Sequence, residues 1–262
     1  MKTPLRTFPS PDALGDHLAE RLLQRVERSR LTGNQFLFGC PTGRTPRPIL
    51  GAMARQLVET GQDLSHVVLV MLDEYLTTTD GTLEYVTPEQ PWSCHYFARV
   101  EILELLNAGL PVGRRIRTDS VWFPDPSDPA GYDARIADAG GVDFFLLASG
   151  ATDGHVAFNQ PGSARESRTR IVTLSDETRR DNLTTFPAFG ELSAVPRHGI
   201  TVGIDTIASA MEAVMVVWGA SKRVTLAQML RAQRYESDWP ATVIHECAVR
   251  EILSDADAAT AR

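Results

Sequence analysis

Four short runs in this chain are apolar at nearly every position: QFLFGC at 35–40, HVVLVML at 66–72, VDFFLLASG at 142–150 and AVMVVWG at 213–219. A strand with one face in water alternates apolar and polar residues, so runs without alternation must be covered on both faces. Each is followed by turn or polar residues and then by a stretch of helical length. The pattern predicts an α/β fold, a mostly parallel sheet flanked by helices on both faces. A first helix is expected after SPD, with Ser10 or Asp12 as its cap and Leu14, Leu18, Leu22 and Leu23 on or near one face. PRPILGAMARQLVET and WSCHYFARVEILELL read as further helices, GITVGIDTIASA as strand running into helix, AVMVVWG as a strand with a helix from Ser221, and ATVIHE at 241–246 as a last short strand. The acidic end ILSDADAATAR reads as a solvated tail.

With 262 residues, 43% of them hydrophobic, the chain can bury a sizeable core, and no repeat or linker divides it. Residues 1–262 are therefore expected to form a single domain. The formal charge of −7 argues against a general nucleic-acid binder, while leaving room for a local basic pocket. Cys40, Cys94 and Cys247 have no metal-ligand spacing and suggest no disulfide framework, which fits a reducing cytoplasm. No apolar run approaches the ~20 residues needed to span a bilayer, and MKTPLRTFPS lacks the apolar core of a signal peptide, so no membrane partner is expected. Whether the chain forms a homo-oligomer is not legible from one sequence.

In parallel sheets ligands sit beyond the carboxyl ends of strands, so the tails of the four runs should meet. The first ends in PTGRTP, where Gly43 lets backbone N–H groups approach an anion, Thr42 and Thr45 add hydroxyls, and a helix N-terminus follows. Taken alone, a simple βα turn is as good a reading. The second ends in Asp73 and Glu74, which a loop start would place either as a base or as a cap. The third ends in TDGHVAFNQPGS, where Asp153, Gly154 and His155 suggest a carboxylate orienting an imidazole; for an isolated DGH, a structural histidine is the commoner case. The fourth ends in GASKR, whose Lys222 is a point charge suited to phosphate. Trp92, Trp122, Trp218 and Trp239 read as packing residues, His95 as packing or substrate contact, and His245 has no legible partner.

The order and spacing of LDEY, DGHVAFNQPGS, SRTRI, ITVGIDTI and GASK resemble the glucosamine-6-phosphate deaminase (isomerase) family, across nearly the whole chain. The 6-phosphogluconolactonases, a related family, share a DGH segment, but HVAFNQPGS is similar to the deaminase branch. The resemblance implies a modified Rossmann-like sheet without a nucleotide, a sugar-phosphate substrate, and no metal or organic cofactor. It further implies that Asp73 shuttles a proton between two carbons, that His155, oriented by Asp153, opens the sugar ring, and that Gly43, Thr45 and Lys222 hold the phosphate.

Three positions depart from the family pattern. Gln160 stands where a glutamate usually completes an acid–histidine–acid relay, so the imidazolium loses a stabilising carboxylate and ring opening is expected to suffer first. Arg44 replaces a small serine in the phosphate loop, and Thr184 stands where an anion-binding arginine is usual; the first could restore the charge missing at the second. The basic pair of the family's effector site is broken, with Arg170 present and Val172 in place of lysine. The leading expectation is an amino-sugar-phosphate deaminase/isomerase with altered specificity. A lactonase-like hydrolase, a deaminase of another anionic amino sugar, and a non-catalytic sugar-phosphate sensor compete with it.

Overall fold

The computed structural model describes residues 2–260. Its strands are β1 Leu5–Phe8, β2 Phe36–Cys40, β3 Val67–Met71, β4 Asp73–Thr79, β5 Thr82–Tyr85, β6 Val121–Trp122, β7 Phe144–Leu147, β8 Arg170–Thr173, β9 His198–Thr201, β10 Glu212–Val217 and β11 Val249–Asp255. Seven of them form one sheet in the order β1-β11-β10-β7-β2-β3-β6, with every neighbouring pair parallel. The apolar runs explain its centre. Along β2, β3, β7 and β10 successive side chains go to opposite faces, and both faces are packed. Phe38, Leu69, Phe144 and Val214 join one buried cluster with Leu14, Leu18, Ile49 and Leu50 from the helices Pro11–Thr32 and Arg47–Thr60. Leu37, Val70, Phe145 and Met215 join a second cluster with Ile136, Ile207 and Met229. Each such side chain contributes roughly 1.5–3 kcal/mol by leaving water.

Ser10 caps the first long helix, its hydroxyl accepting from the Ala13 N–H at 3.2 Å. Three elements differ from expectation. ATVIHE is a 3-10 segment, Pro240–His245, because a short apolar run can be buried helix as readily as strand. The first four residues of the expected solvated tail, Ile252 to Asp255, are the buried end of β11, which lies between β1 and β10, and Ala256–Ala259 form a short helix; Ala261 and Arg262 lie outside the described residues. VREILSD lacks the period-two alternation of a half-buried strand, so its pattern does not mark it as one. Among the described residues, no helix is long and apolar enough to cross a membrane.

The third difference matters most. After Met71 only Leu72 intervenes before the chain enters a second, antiparallel sheet of order β5-β4-β9-β8. Asp73 is thus the first residue of a strand, paired with Thr201, rather than the start of a loop. GITVGIDTIASA supplies β9 of this sheet and the helix Ile204–Ala208. In the main sheet β3 and β6 lie on one side of β2 while β7 and β10 lie on the other, so the order reverses between β2 and β7. A crevice opens beyond the carboxyl ends at such a reversal.

Candidate active site

All four strand ends meet in one cavity of about 320 Å³. Pro41, Thr42, Arg44 and Thr45 reach it from β2, Asp73 and Tyr75 from β4, Ala148 to Ala151 and His155 from the segment after β7, and Trp218 to Lys222 from that after β10. The volume suits a small polar molecule.

Asp73 forms the inner end. Its carboxyl is 7% exposed and its Oδ1 lies 3.4 Å from the Cys94 Sγ, which donates to it. Burial pushes this carboxyl up to about 7; the Cys94 thiol and His155 oppose the rise, and neighbouring Glu74 adds to it. A base poised near neutrality can both take and return a proton.

His155 faces the same cavity. Its Nδ1 lies 2.7 Å from Asp153 Oδ1, which also accepts from the His155 backbone N–H at 3.1 Å. This pairing assigns the proton to Nδ1 and leaves Nε2 to exchange one with a ligand. The Thr178 hydroxyl donates to Asp153 Oδ2 at 2.8 Å. Burial works against the Asp153 charge, but the hydrogen bonds from His155 and Thr178 hold its carboxyl down at about 2. Asp153 stays ionised and keeps the ring oriented. Asn159 staples the loop from below, donating to the carbonyls of Val156 and Val202 at 3.1 and 2.8 Å.

The other end of the cavity is cationic. Lys222 is half-buried, and its Nζ donates to the Ser149 carbonyl. Burial brings its ammonium down to about 8, with Arg44 pushing the same way and Asp181 and Asp153 opposing. Arg44 is exposed at the rim, and Thr184 lines the wall beside them. Gly43 has φ +88°, and a Cβ there would lie 2.9 Å from the Thr185 methyl, so a glycine is required for the turn. Two cations, the hydroxyl of Thr45 and the turn backbone can together hold a phosphate-sized anion.

Over residues 9–253 the sequence matches the family described as glucosamine-6-phosphate isomerases/6-phosphogluconolactonase. The chain belongs to this family. A glucosamine-6-phosphate deaminase of Streptomyces avermitilis is 37% identical over 225 residues, covering 84% of this chain and 77% of that protein. Among solved structures, a monomeric glucosamine-6-phosphate deaminase superposes with TM-score 0.83 at 24% identity, over 100% of both chains. A 6-phosphogluconolactonase from Leishmania guyanensis gives 0.68 at 14% identity, over 98% of both chains. These two likenesses establish the fold, and with it the expected parallel α/β sheet.

Within this family scaffold, three expected site residues prove to be structural. Glu74 is fully buried and turned from the cavity: it accepts from the Ser93 hydroxyl and the N–H groups of Tyr75, Cys94 and His95, and its Oε2 lies 2.7 Å from His95 Nδ1. On a strand consecutive side chains point opposite ways, so Asp73 inward sends Glu74 outward. His95 is thereby a packing residue, its ring stacked on Phe123 at 3.6 Å. Gly154 lies beneath Trp239, where a Cβ would come within 2.3 Å of the indole, and its φ of +65° favours glycine again. Gln160 does not line the cavity. Its Nε2 donates to the Thr173 carbonyl at 2.6 Å and its Oε1 accepts from the Ser175 N–H at 2.6 Å. One donor and one acceptor on a single planar group are what an amide offers and a carboxylate lacks. Gln160 is a clamp between the His155 loop and the segment after β8, rather than a partner of the imidazole.

Sequence reading missed several contributors. Cys94 beside Asp73, Thr178 beneath Asp153, and Asp181 and Asn182 in the cavity wall come from helices remote in sequence. The signal for Asp181 is the acid of DNLTTF itself, beside the position of the missing arginine. Trp218 is more than packing: it lines the cavity, and its indole N–H donates to the Thr45 carbonyl at 3.3 Å, holding the PTGRTP turn. His245 has partners after all, Thr3 Oγ1 at 2.7 Å and the Met229 carbonyl at 2.8 Å. Arg170 donates to Asn159 Oδ1 at 2.9 Å and so braces the His155 loop.

Proposed function

We propose that the chain is a cytoplasmic amino-sugar-phosphate deaminase/isomerase, acting as one catalytic unit and converting an amino-sugar 6-phosphate and water to a ketose phosphate and ammonia. The observation that carries this reading is the composition of one cavity: a buried carboxylate poised near neutrality, an oriented imidazole beside it, and a pair of cations at the far end. Lys222 and Arg44 take the phosphate, which sets the sugar with its C1 and C2 toward Asp73. His155, through Nε2, gives a proton to the ring oxygen as the ring opens. Asp73 removes the C2 proton and returns it to C1, so that the carbon bearing nitrogen becomes an iminium; water adds there and ammonia leaves. A lactone hydrolase would use the imidazole to activate water but would have no task for the Asp73 carboxylate.

The test is ammonia release from a panel of amino-sugar phosphates, glucosamine and galactosamine 6-phosphates included, beside lactone hydrolysis. The native protein is expected to release ammonia, and Asp73→Asn to lower kcat by about 10²–10⁴-fold. Lactone hydrolysis that survives Asp73→Asn, with no ammonia from any amino sugar, would overturn the assignment.

A further inference from the structure

Asp181 is a charged residue in the cavity wall for which the steps above have no use. It sits on the helix Asp176–Thr185, one turn beyond Thr178, and that helix packs its inner side against the catalytic loop. One of its carboxylate oxygens lies within 4.8 Å of both a His155 ring nitrogen and an Asp153 carboxylate oxygen. The same side chain accepts from the Ala151 N–H at 2.9 Å, so its position is fixed by the loop that carries the histidine. Asn182, the next residue, is 8% exposed, lines the cavity, and sets its amide against the Tyr75 hydroxyl in the same wall. Asp181, Asn182, Thr184 and Thr185 thus bring one face of this helix to the cavity wall.

The charges around the imidazole can be named from every side. Asp153 approaches from its own loop, Asp73 from β4 and Asp181 from the helix, while Lys222 and Arg44 stand toward the far end. Gln160 is neutral, and its amide bonds the Thr173 carbonyl, the Ser175 N–H and the Thr178 hydroxyl rather than the ring. Asp153 spends its Oδ1 on the ring and its Oδ2 on Thr178, so it orients the histidine through a hydrogen bond. A second carboxylate within 5 Å acts through the field instead, favouring the protonated ring needed to give up a proton.

Resting on the deaminase reading for its consequence, we infer that Asp181 is a positioning residue of the ring-opening step, a second carboxylate that stabilises the protonated His155 and ties the Asp176–Thr185 helix to the catalytic loop.

Asp181→Asn keeps an oxygen to accept from the Ala151 N–H but removes the charge; Asp181→Glu keeps the charge. Ring ¹⁵N signals of His155 are to be recorded near pH 6.5 in the native protein and both variants, alongside ammonia release. The expected result is that Asp181→Asn moves the ring signals toward neutral imidazole and lowers kcat about 10- to 100-fold with KM within about threefold, while Asp181→Glu retains both. Unchanged ring signals in Asp181→Asn, in a native protein that does release ammonia, would overturn the inference and leave the deaminase reading standing. Shifted ring signals without ammonia from any substrate would support the pairing and overturn the deaminase reading.

Discussion

Asp73 carries its carboxyl in surroundings that disfavour the charge, and the cost of placing it there should be measurable. Its carboxyl titrates near 3.8 when unfolded and at about 7 in the folded chain, because burial disfavours the charge. Between those values the native state binds more protons than the unfolded state, so stability falls as pH rises from about 4 to 7 and then levels off. Asp73→Asn removes this dependence. The variant is expected to gain on the native protein across that window by an amount of order 4 kcal/mol at most, as followed by urea unfolding at pH 4, 6 and 8. A difference that stays constant with pH would show that the carboxyl is not held near neutrality. The same variant loses catalysis, so stability and activity would move in opposite directions at one atom. That opposition is expected where a site keeps a group in an environment its charge disfavours.

At the level of elements, legibility followed burial. β2, β3, β7 and β10 could be read because both faces of each are packed, which leaves no polar alternation to confuse the pattern. β4 and β8 could not, since each is partly exposed and polar, and their antiparallel sheet is assembled from segments far apart in sequence. The strand ends carrying Asp73, His155 and Lys222 were legible as a convergence; which neighbour points inward was not, and Glu74 and Gly154 were misjudged for that reason. Gln160 is the instructive case. It stands where the sequence pattern suggests a substitute for an acid, yet its two short hydrogen bonds belong to the junction between β8 and the Asp176–Thr185 helix, and a third, longer one comes from the Thr178 hydroxyl that also donates to Asp153. Gln160→Glu would set a carboxylate oxygen against the Thr173 carbonyl and lose a donor. It is expected to destabilise the fold by about 1–2 kcal/mol at pH 7.5 and less at pH 4.5, where a protonated acid can donate. Denaturant melts at both values would check this, and equal stability of variant and native protein at pH 7.5 would exclude the clamp.

Across the whole molecule, the cation end of the cavity depends on the last strand, which sequence reading had taken for a solvated tail. β11 ends at Asp255, 2% exposed, whose carboxylate accepts from the Gly219 N–H at 3.0 and 3.1 Å and from the Ala258 N–H at 2.8 Å. Gly219, with φ of +85°, opens the turn that carries Lys222, and its carbonyl accepts from the Lys222 N–H at 3.0 Å, so where Gly219 is held the turn follows. The chain terminus thus sets where the ammonium sits, some thirty positions away in sequence and on the far side of β10. Asp255→Ala would leave two backbone donors unpaired and free the turn to drift, at a cost of roughly 1–3 kcal/mol in stability. Because Asp73 and His155 stand on other strands, the expected kinetic signature is a KM for sugar phosphate raised about 3- to 10-fold with kcat little changed. Asp255→Asn, which keeps one acceptor for Gly219, should recover most of that loss. A fall in kcat with KM unmoved would mean that the turn positions the reacting carbons rather than the anion, and that the two ends of the cavity are mechanically one.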